Sequence, residues 1–200
     1  MKQQNNIYTV FDRIIKREDK EILLNQNAVA IWLTGLSGSG KTTLGIALEK
    51  KLFERGYLTQ ILDGDNIRSG INKNLNFTEV DRLENIRRIS EVTKLFINCG
   101  VIAINCFISP TDEIRKMARD IIGEENLIEV YINTPLRVCE DRDVKGLYQK
   151  ARDGKIKNFT GIDSPFDRPE TIDIEIFTEH ESIETSAQKL FDFVINKIKK

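Results

Sequence analysis

The chain alternates between short runs that are almost wholly apolar and longer stretches in which apolar side chains recur every three or four positions. Ala28–Thr34, Thr59–Leu62, Val101–Phe107, Leu127–Ile132 and Ile172–Phe177 are the short runs, rich in β-branched residues, and they read as strands. Lys41–Arg55, Glu79–Asn98, Thr111–Ile122, Leu136–Arg142 and Glu181–Lys199 carry the helical period. Gly56 and Gly100 stand where two of these helices should end in a left-handed residue. Strands with no polar face need cover on both sides, which parallel strands joined by crossover helices receive. The expected architecture is α/β: a doubly wound, mainly parallel sheet with helices on both faces.

Two segments break the rhythm. Residues 1–27 are polar with scattered apolar positions and predict an arm or short helix outside the main domain, which then spans 28–200. Asp143–Asp167 is basic and glycine-bearing, with almost no apolar period. A long mobile segment is expected there, and long loops inside compact domains usually serve function.

Composition narrows the classes of function. A chain of 200 residues, 40% of them hydrophobic, can bury one sizeable core. Its 30 basic and 31 acidic side chains nearly cancel, so no overall field draws it to nucleic acid or to an anionic membrane. The longest apolar runs fall far short of a membrane span, and Met1–Val10 lacks the apolar core of a secretory signal. Cys99, Cys106 and Cys139 form no paired spacing, which predicts reduced thiols in a cytoplasmic protein. His180 is the only histidine, so a Ser-His-Asp triad and a histidine base are excluded and the expected base is a carboxylate.

The first strand runs directly into Gly35-Leu36-Ser37-Gly38-Ser39-Gly40-Lys41-Thr42, and a helix begins at the lysine. This is a P-loop in its required context. Glycines allow backbone amides to curl around phosphates, and the helix N-terminus adds donors and a favourable dipole. Lys41 would reach the β- and γ-phosphates, and Thr42 would offer its hydroxyl to Mg2+. The GTPase base-reading pattern is missing, because Asn72-Lys73-Asn74-Leu75 lacks the aspartate. Asn105 occupies the place on the middle strand where many P-loop ATPases carry an acid.

Carboxylates appear instead after the second strand, in Leu62-Asp63-Gly64-Asp65-Asn66-Ile67-Arg68. Ligands of open α/β sheets lie off the carboxyl ends of strands, which puts this acid pair beside the cradle. The same residues also suit a turn and a helix cap. In the next helix Thr78-Glu79-Val80-Asp81 reads as a capping box, Leu83, Ile86, Ile89 and Phe96 as the buried stripe, and Arg82 and Asn85 as neighbours on one face that could clamp an anion. Ser109 could touch a substrate or receive a phosphoryl group, or simply cap a helix starting at Pro110.

In order and spacing these segments, with Asp81-Arg82-Leu83-Glu84-Asn85-Ile86-Arg87-Arg88, Phe107-Ile108-Ser109-Pro110, Lys145-Gly146-Leu147-Tyr148 and Asn158-Phe159-Thr160-Gly161-Ile162-Asp163, resemble the adenylylsulfate kinases (APS kinases) from Ala28 to the chain end. The resemblance implies transfer of the γ-phosphoryl of MgATP to the 3′-hydroxyl of adenosine 5′-phosphosulfate (APS). It implies ATP binding by Gly35–Thr42 and Thr43, a base at Asp63, and Mg2+ held at Thr42 and Asp63. APS would be held by Asp65, Arg68, Arg82 and Asn85, by Ile108 and Ser109, and by Lys145 from a lid at 143–163. Phe77 and Phe159 would sandwich its adenine. Ser109 is also implied as a phosphoserine site, and the assembly as a homodimer. Ser69 departs from the larger residue common in the family, and residues 1–27 lie outside the resemblance. Two other readings share the cradle: a kinase for another small alcohol, and a nucleotide-dependent switch protein.

Overall fold

A computed structural model describes residues 7–200. Five strands, β1 (Ala30–Thr34), β2 (Thr59–Asp63), β3 (Ile102–Cys106), β4 (Leu127–Asn133) and β5 (Ile174–Phe177), form one sheet in the order β2-β3-β1-β4-β5. Every pairing is parallel. The strand order reverses on either side of β1, so the loop leaving β1 opens into the crevice where such sheets bind ligands.

Alternate strand residues feed two cores. Ile31 and Leu33 of β1 and Val130 and Ile132 of β4 meet Leu44, Leu48 and Leu52 of α2 (Lys41–Glu54) and Leu190 and Val194 of α8 (Ile183–Ile198). On the other face Ala30, Trp32 and Leu127 meet Ile86, Ile89 and Ile97 of α4 (Glu79–Asn98) and Ile114, Ala118 and Ile122 of α5 (Asp112–Ile122). Helices therefore cover both faces, as the unbroken apolar strands require. Gly56 and Gly100 have φ of 84° and 80° just past α2 and α4. Thr78 accepts from the Asp81 amide at 3.2 Å, which is one half of the predicted capping box, and the Asp81 carboxylate accepts from the Asn76 amide at 3.1 Å.

Gly45 marks the closest approach of α2 to the sheet. A Cβ there would sit 2.6 Å from Cys106 Sγ. Gly45→Ala gains about 1 kcal/mol of helix propensity but forces an overlap that costs about 1–3 kcal/mol. The expected result is a lower thermal midpoint, with Cys106→Ala restoring part of the loss in the double variant by removing the sulfur.

Three local outcomes add detail to the pattern of the sequence. Asp63–Arg68 is not only a turn: α3 (Gly64–Ser69) starts there, with Asp63 as its N-cap. The stretch expected to be one long loop contains α7 (Leu147–Arg152), following α6 (Leu136–Arg142). Its period is faint in the sequence because six residues give fewer than two turns. Within 1–27, α1 (Arg17–Leu24) packs at the amino end of the sheet, away from the crevice. Buried Glu21 of α1 accepts from the Ala28 amide at 2.9 Å and from Arg17 at 2.8 Å.

Candidate active site

The cradle is shaped by backbone that only glycine adopts easily. Gly35 has φ 151°, and a Cβ there would meet the Ile132 carbonyl at 2.7 Å; Gly40, capping α2, has φ 104°. The loop is braced from below. Thr134 and Thr178 hydroxyls both donate to the Ser39 carbonyl, at 3.1 and 3.0 Å. Arg142, the last residue of α6, donates to the Thr178 carbonyl at 2.6 Å, so it also braces the cradle. The first-turn amides of α2 have no carbonyl of their own helix to bond, and together with the Leu36–Gly40 backbone they form an anion receptor.

Lys41 is only 8% exposed, and its Nζ donates to the Gly35 and Leu36 carbonyls at 2.9 and 2.7 Å. Desolvation pulls its pKa down from 10.5 to about 8. Thr42 and Thr43 lie exposed in the same turn. Below the helix, burial pushes the Cys106 thiol up to about 12, so it remains a neutral packing group.

Asp63 joins the cradle to the neighbouring site. Its Oδ1 accepts from the Asp65 and Asn66 amides at 3.0 and 3.4 Å, capping α3, while its Oδ2 accepts from Thr42 Oγ1 at 2.7 Å. One carboxylate oxygen is thus structural and the other faces the phosphate loop. A hydroxyl and a carboxylate oxygen in this relation are hard donors that suit Mg2+. Asn105, in the place of the missing middle-strand acid, is fully buried and accepts from Thr93 at 2.8 Å.

Beyond Asp63 lie the predicted acceptor residues. Arg68 donates to the Leu75 and Asn76 carbonyls and lies over the Phe77 ring, 4.4 Å from its centre. Phe77 is 60% exposed. Arg82 reaches in two directions: Nε donates to the Phe77 carbonyl at 2.9 Å, and the terminal nitrogens donate to Thr160 Oγ1 at 2.6 Å and to the Asn158 carbonyl. Burial lowers the pKa of both arginines, and for Arg68 the charge of Arg82 lowers it further. An anion between them would relieve that repulsion. Lys145, just before α7, pairs with Asp65.

Two predicted residues are used differently. Asn85 is buried, and its Oδ1 accepts from Asn72 Nδ2 at 3.0 Å, so it braces α4 against the preceding loop instead of sharing an open face with Arg82. Ser109 is 2% exposed with φ 45°, and its Oγ accepts from Trp32 Nε1 at 3.0 Å. It does not cap α5; Thr111 does. A hydroxyl turned into the core against an indole is poorly placed to receive a phosphoryl group. The loop instead presents backbone: Thr34 donates to the Ile108 carbonyl at 2.7 Å, and buried Arg115 donates to that of Ser109 at 2.7 Å.

Trp32, Thr134, Tyr148 and Thr178 also shape the site. Trp32 and Thr134 sit in or beside apolar strands, Thr178 just past one, and nothing local in the sequence separates them from packing residues. Tyr148 alone had a signal, since it closes the Lys145-Gly146-Leu147-Tyr148 segment. It is buried, its hydroxyl donates to the Ser37 carbonyl at 2.9 Å, and burial raises its pKa.

A braced phosphate loop whose hydroxyl touches an acid, with arginines and the 143–163 segment on the far side of that acid, defines a P-loop phosphotransferase acting on a second, anionic substrate. Residues 27–177 match the adenylylsulphate kinase family. Adenylyl-sulfate kinase from Bacteroides thetaiotaomicron is 58% identical over 200 residues, covering all of both chains. That of Clostridium acetobutylicum is 52% identical over 90% of each. The structure of Mycobacterium tuberculosis APS kinase CysC in complex with AMPPNP and APS superimposes with a TM-score of 0.81 at 44% identity, covering 84% of this chain and 98% of that one. The chain belongs to the adenylylsulphate kinase family.

Proposed function

We propose that this chain transfers the γ-phosphoryl group of ATP to the 3′-hydroxyl of adenosine 5′-phosphosulfate, giving 3′-phosphoadenosine 5′-phosphosulfate and ADP. The observation that carries the reading is the Thr42–Asp63 hydrogen bond, which supports a role for this carboxylate beside the phosphate loop. Family membership supports the choice of acceptor over another small alcohol.

In this reading Gly35–Thr43 hold the triphosphate, with Lys41 released from its two carbonyls to the γ-phosphate. Thr42 and Asp63 would hold Mg2+, which when bound spreads the charge of the β- and γ-oxygens. Asp63 Oδ2 accepts the proton of the 3′-hydroxyl as the new O–P bond forms and the bond to ADP breaks. Arg68, Arg82 and Lys145 hold the phosphosulfate by charge, since it offers no chain of phosphates to a metal. Phe77 and Phe159 flank the adenine, Asp65 and the Ile108–Ser109 backbone complete the pocket wall, and Asn85 supports that wall from behind through Asn72. Segment 143–163 acts as a lid that excludes water able to hydrolyse ATP.

A homodimer in the cytoplasm belongs to the same reading. Exposed Ile7, Tyr8, Phe11 and Ile15 support a subunit surface at the N-terminal arm, and three free cysteines support a reducing compartment. The deciding assay combines enzyme, ATP, Mg2+ and APS with detection of the 3′-phosphorylated product. Product formed in step with ADP is expected. ADP release that is the same with and without APS would instead favour a switch protein, and ADP release only with another alcohol would favour a different kinase.

A further inference from the structure

Tyr148 touches both halves of the site. Its hydroxyl donates to the Ser37 carbonyl in the phosphate cradle at 2.9 Å, and its ring meets Phe159 edge-on, with centroids 5.0 Å apart and planes at 79°. The residue is 2% exposed. Its backbone is held as firmly: the Tyr148 and Gln149 amides both donate to the Asp143 carboxylate at 3.0 Å at the start of α7. A second contact lies alongside, because Gly161 packs so tightly on the cradle that a Cβ would come 3.0 Å from Leu36 Cδ2. Neighbouring cradle residues are thus fastened to the segment that carries Phe159.

A trans peptide is planar, and its N–H points opposite to its C=O. Fixing the Ser37 carbonyl toward Tyr148 therefore turns the Gly38 N–H to the other side of the loop. A phosphate chain that recruits that amide settles the same peptide plane that the Tyr148 hydroxyl reads. Edge-to-face packing then transmits the setting of Tyr148 to Phe159, because a T-shaped pair has a narrow favourable geometry.

We propose that Tyr148 is a positioning residue that couples the two nucleotide sites, so that a filled phosphate cradle organises Phe159 for the acceptor and a bound acceptor steadies the cradle. The inference rests on the acceptor reading above. Coupling of this kind is reciprocal: the factor by which the donor tightens the acceptor equals the factor by which the acceptor tightens the donor.

The test is calorimetric titration of the full chain with APS, in the presence and absence of a saturating non-hydrolysable ATP analogue and Mg2+, and the same pair of titrations in reverse order. Wild type should show a coupling factor of at least about fivefold in both orders. Tyr148→Phe keeps the ring against Phe159 and loses only the bond to Ser37, and its factor should fall to about one while each ligand still binds alone. Tyr148→Leu should lose the coupling and also weaken APS binding by itself. A merely structural tyrosine would lower the thermal midpoint and leave the coupling factor intact. An unchanged factor in Tyr148→Phe, or no coupling in wild type, overturns the proposal while leaving the acceptor assignment standing. Failure of APS to bind wild type with or without the analogue overturns the acceptor assignment, and this proposal with it.

Discussion

Asp63→Asn is expected to lower turnover by about 10²–10⁴, the range for a positioned acid–base group, while leaving binding of an ATP analogue in the absence of Mg2+ nearly unchanged. The separation follows from the two jobs of the carboxylate. Oδ1 caps α3, and asparagine caps a helix about as well as aspartate, so the Gly64–Ser69 helix and the fold should survive. Oδ2, facing Thr42, changes from an anion that can take a proton into an amide that cannot. Single-turnover rates and analogue affinity measured on one preparation check this. Unchanged turnover would remove the proposed base, and loss of both activities together would mean that α3 had collapsed.

Lys41→Ala should reduce phosphoryl transfer by about 10²–10³, the cost of removing one preorganised charge donor from a developing anion. It should also weaken ATP binding, since the γ-phosphate loses the cation that neutralises it. Burial adds a pH signature. With the folded pKa down to about 8 and the unfolded value near 10.5, the free enzyme loses the Lys41 proton above pH 8, whereas a bound triphosphate requires it. Nucleotide binding above pH 8 should therefore take up a proton, visible as a dependence of binding enthalpy on the buffer, and affinity should fall as pH rises. For stability the sign reverses: between pH 8 and 10.5 the unfolded chain binds more protons at this site, so its contribution to stability rises with pH. Lys41→Ala should show neither effect.

Much of the site could be read from the sequence because its parts are local. A cradle needs glycines at fixed spacing before a helix, and Gly35, Gly40 and Lys41 occupy those places with the backbone angles and contacts the spacing implies. Asp63 was legible because a strand end followed by a capping acid is a local pattern. Asn85 and Ser109 misled for a physical reason. Helical spacing says which residues share a face but not which neighbour that face meets, and Asn72 and Trp32 meet them from distant parts of the chain. The order of segment 143–163 left little pattern in the sequence because it comes from contacts made elsewhere: Tyr148 with Ser37, Arg82 with Thr160, Lys145 with Asp65.

The sequence by itself determined the alternation of strands and helices, the phosphate loop, the absence of a histidine base and the family to which these segments belong. All of these depend on residues near one another in the chain. Tertiary structure decided which oxygen of Asp63 faces the phosphate loop, that Ser109 turns inward, and that Tyr148 spans the two halves of the site. Each of those depends on side chains brought together from distant positions, and the geometry of their contact is set by how the helices pack on the sheet.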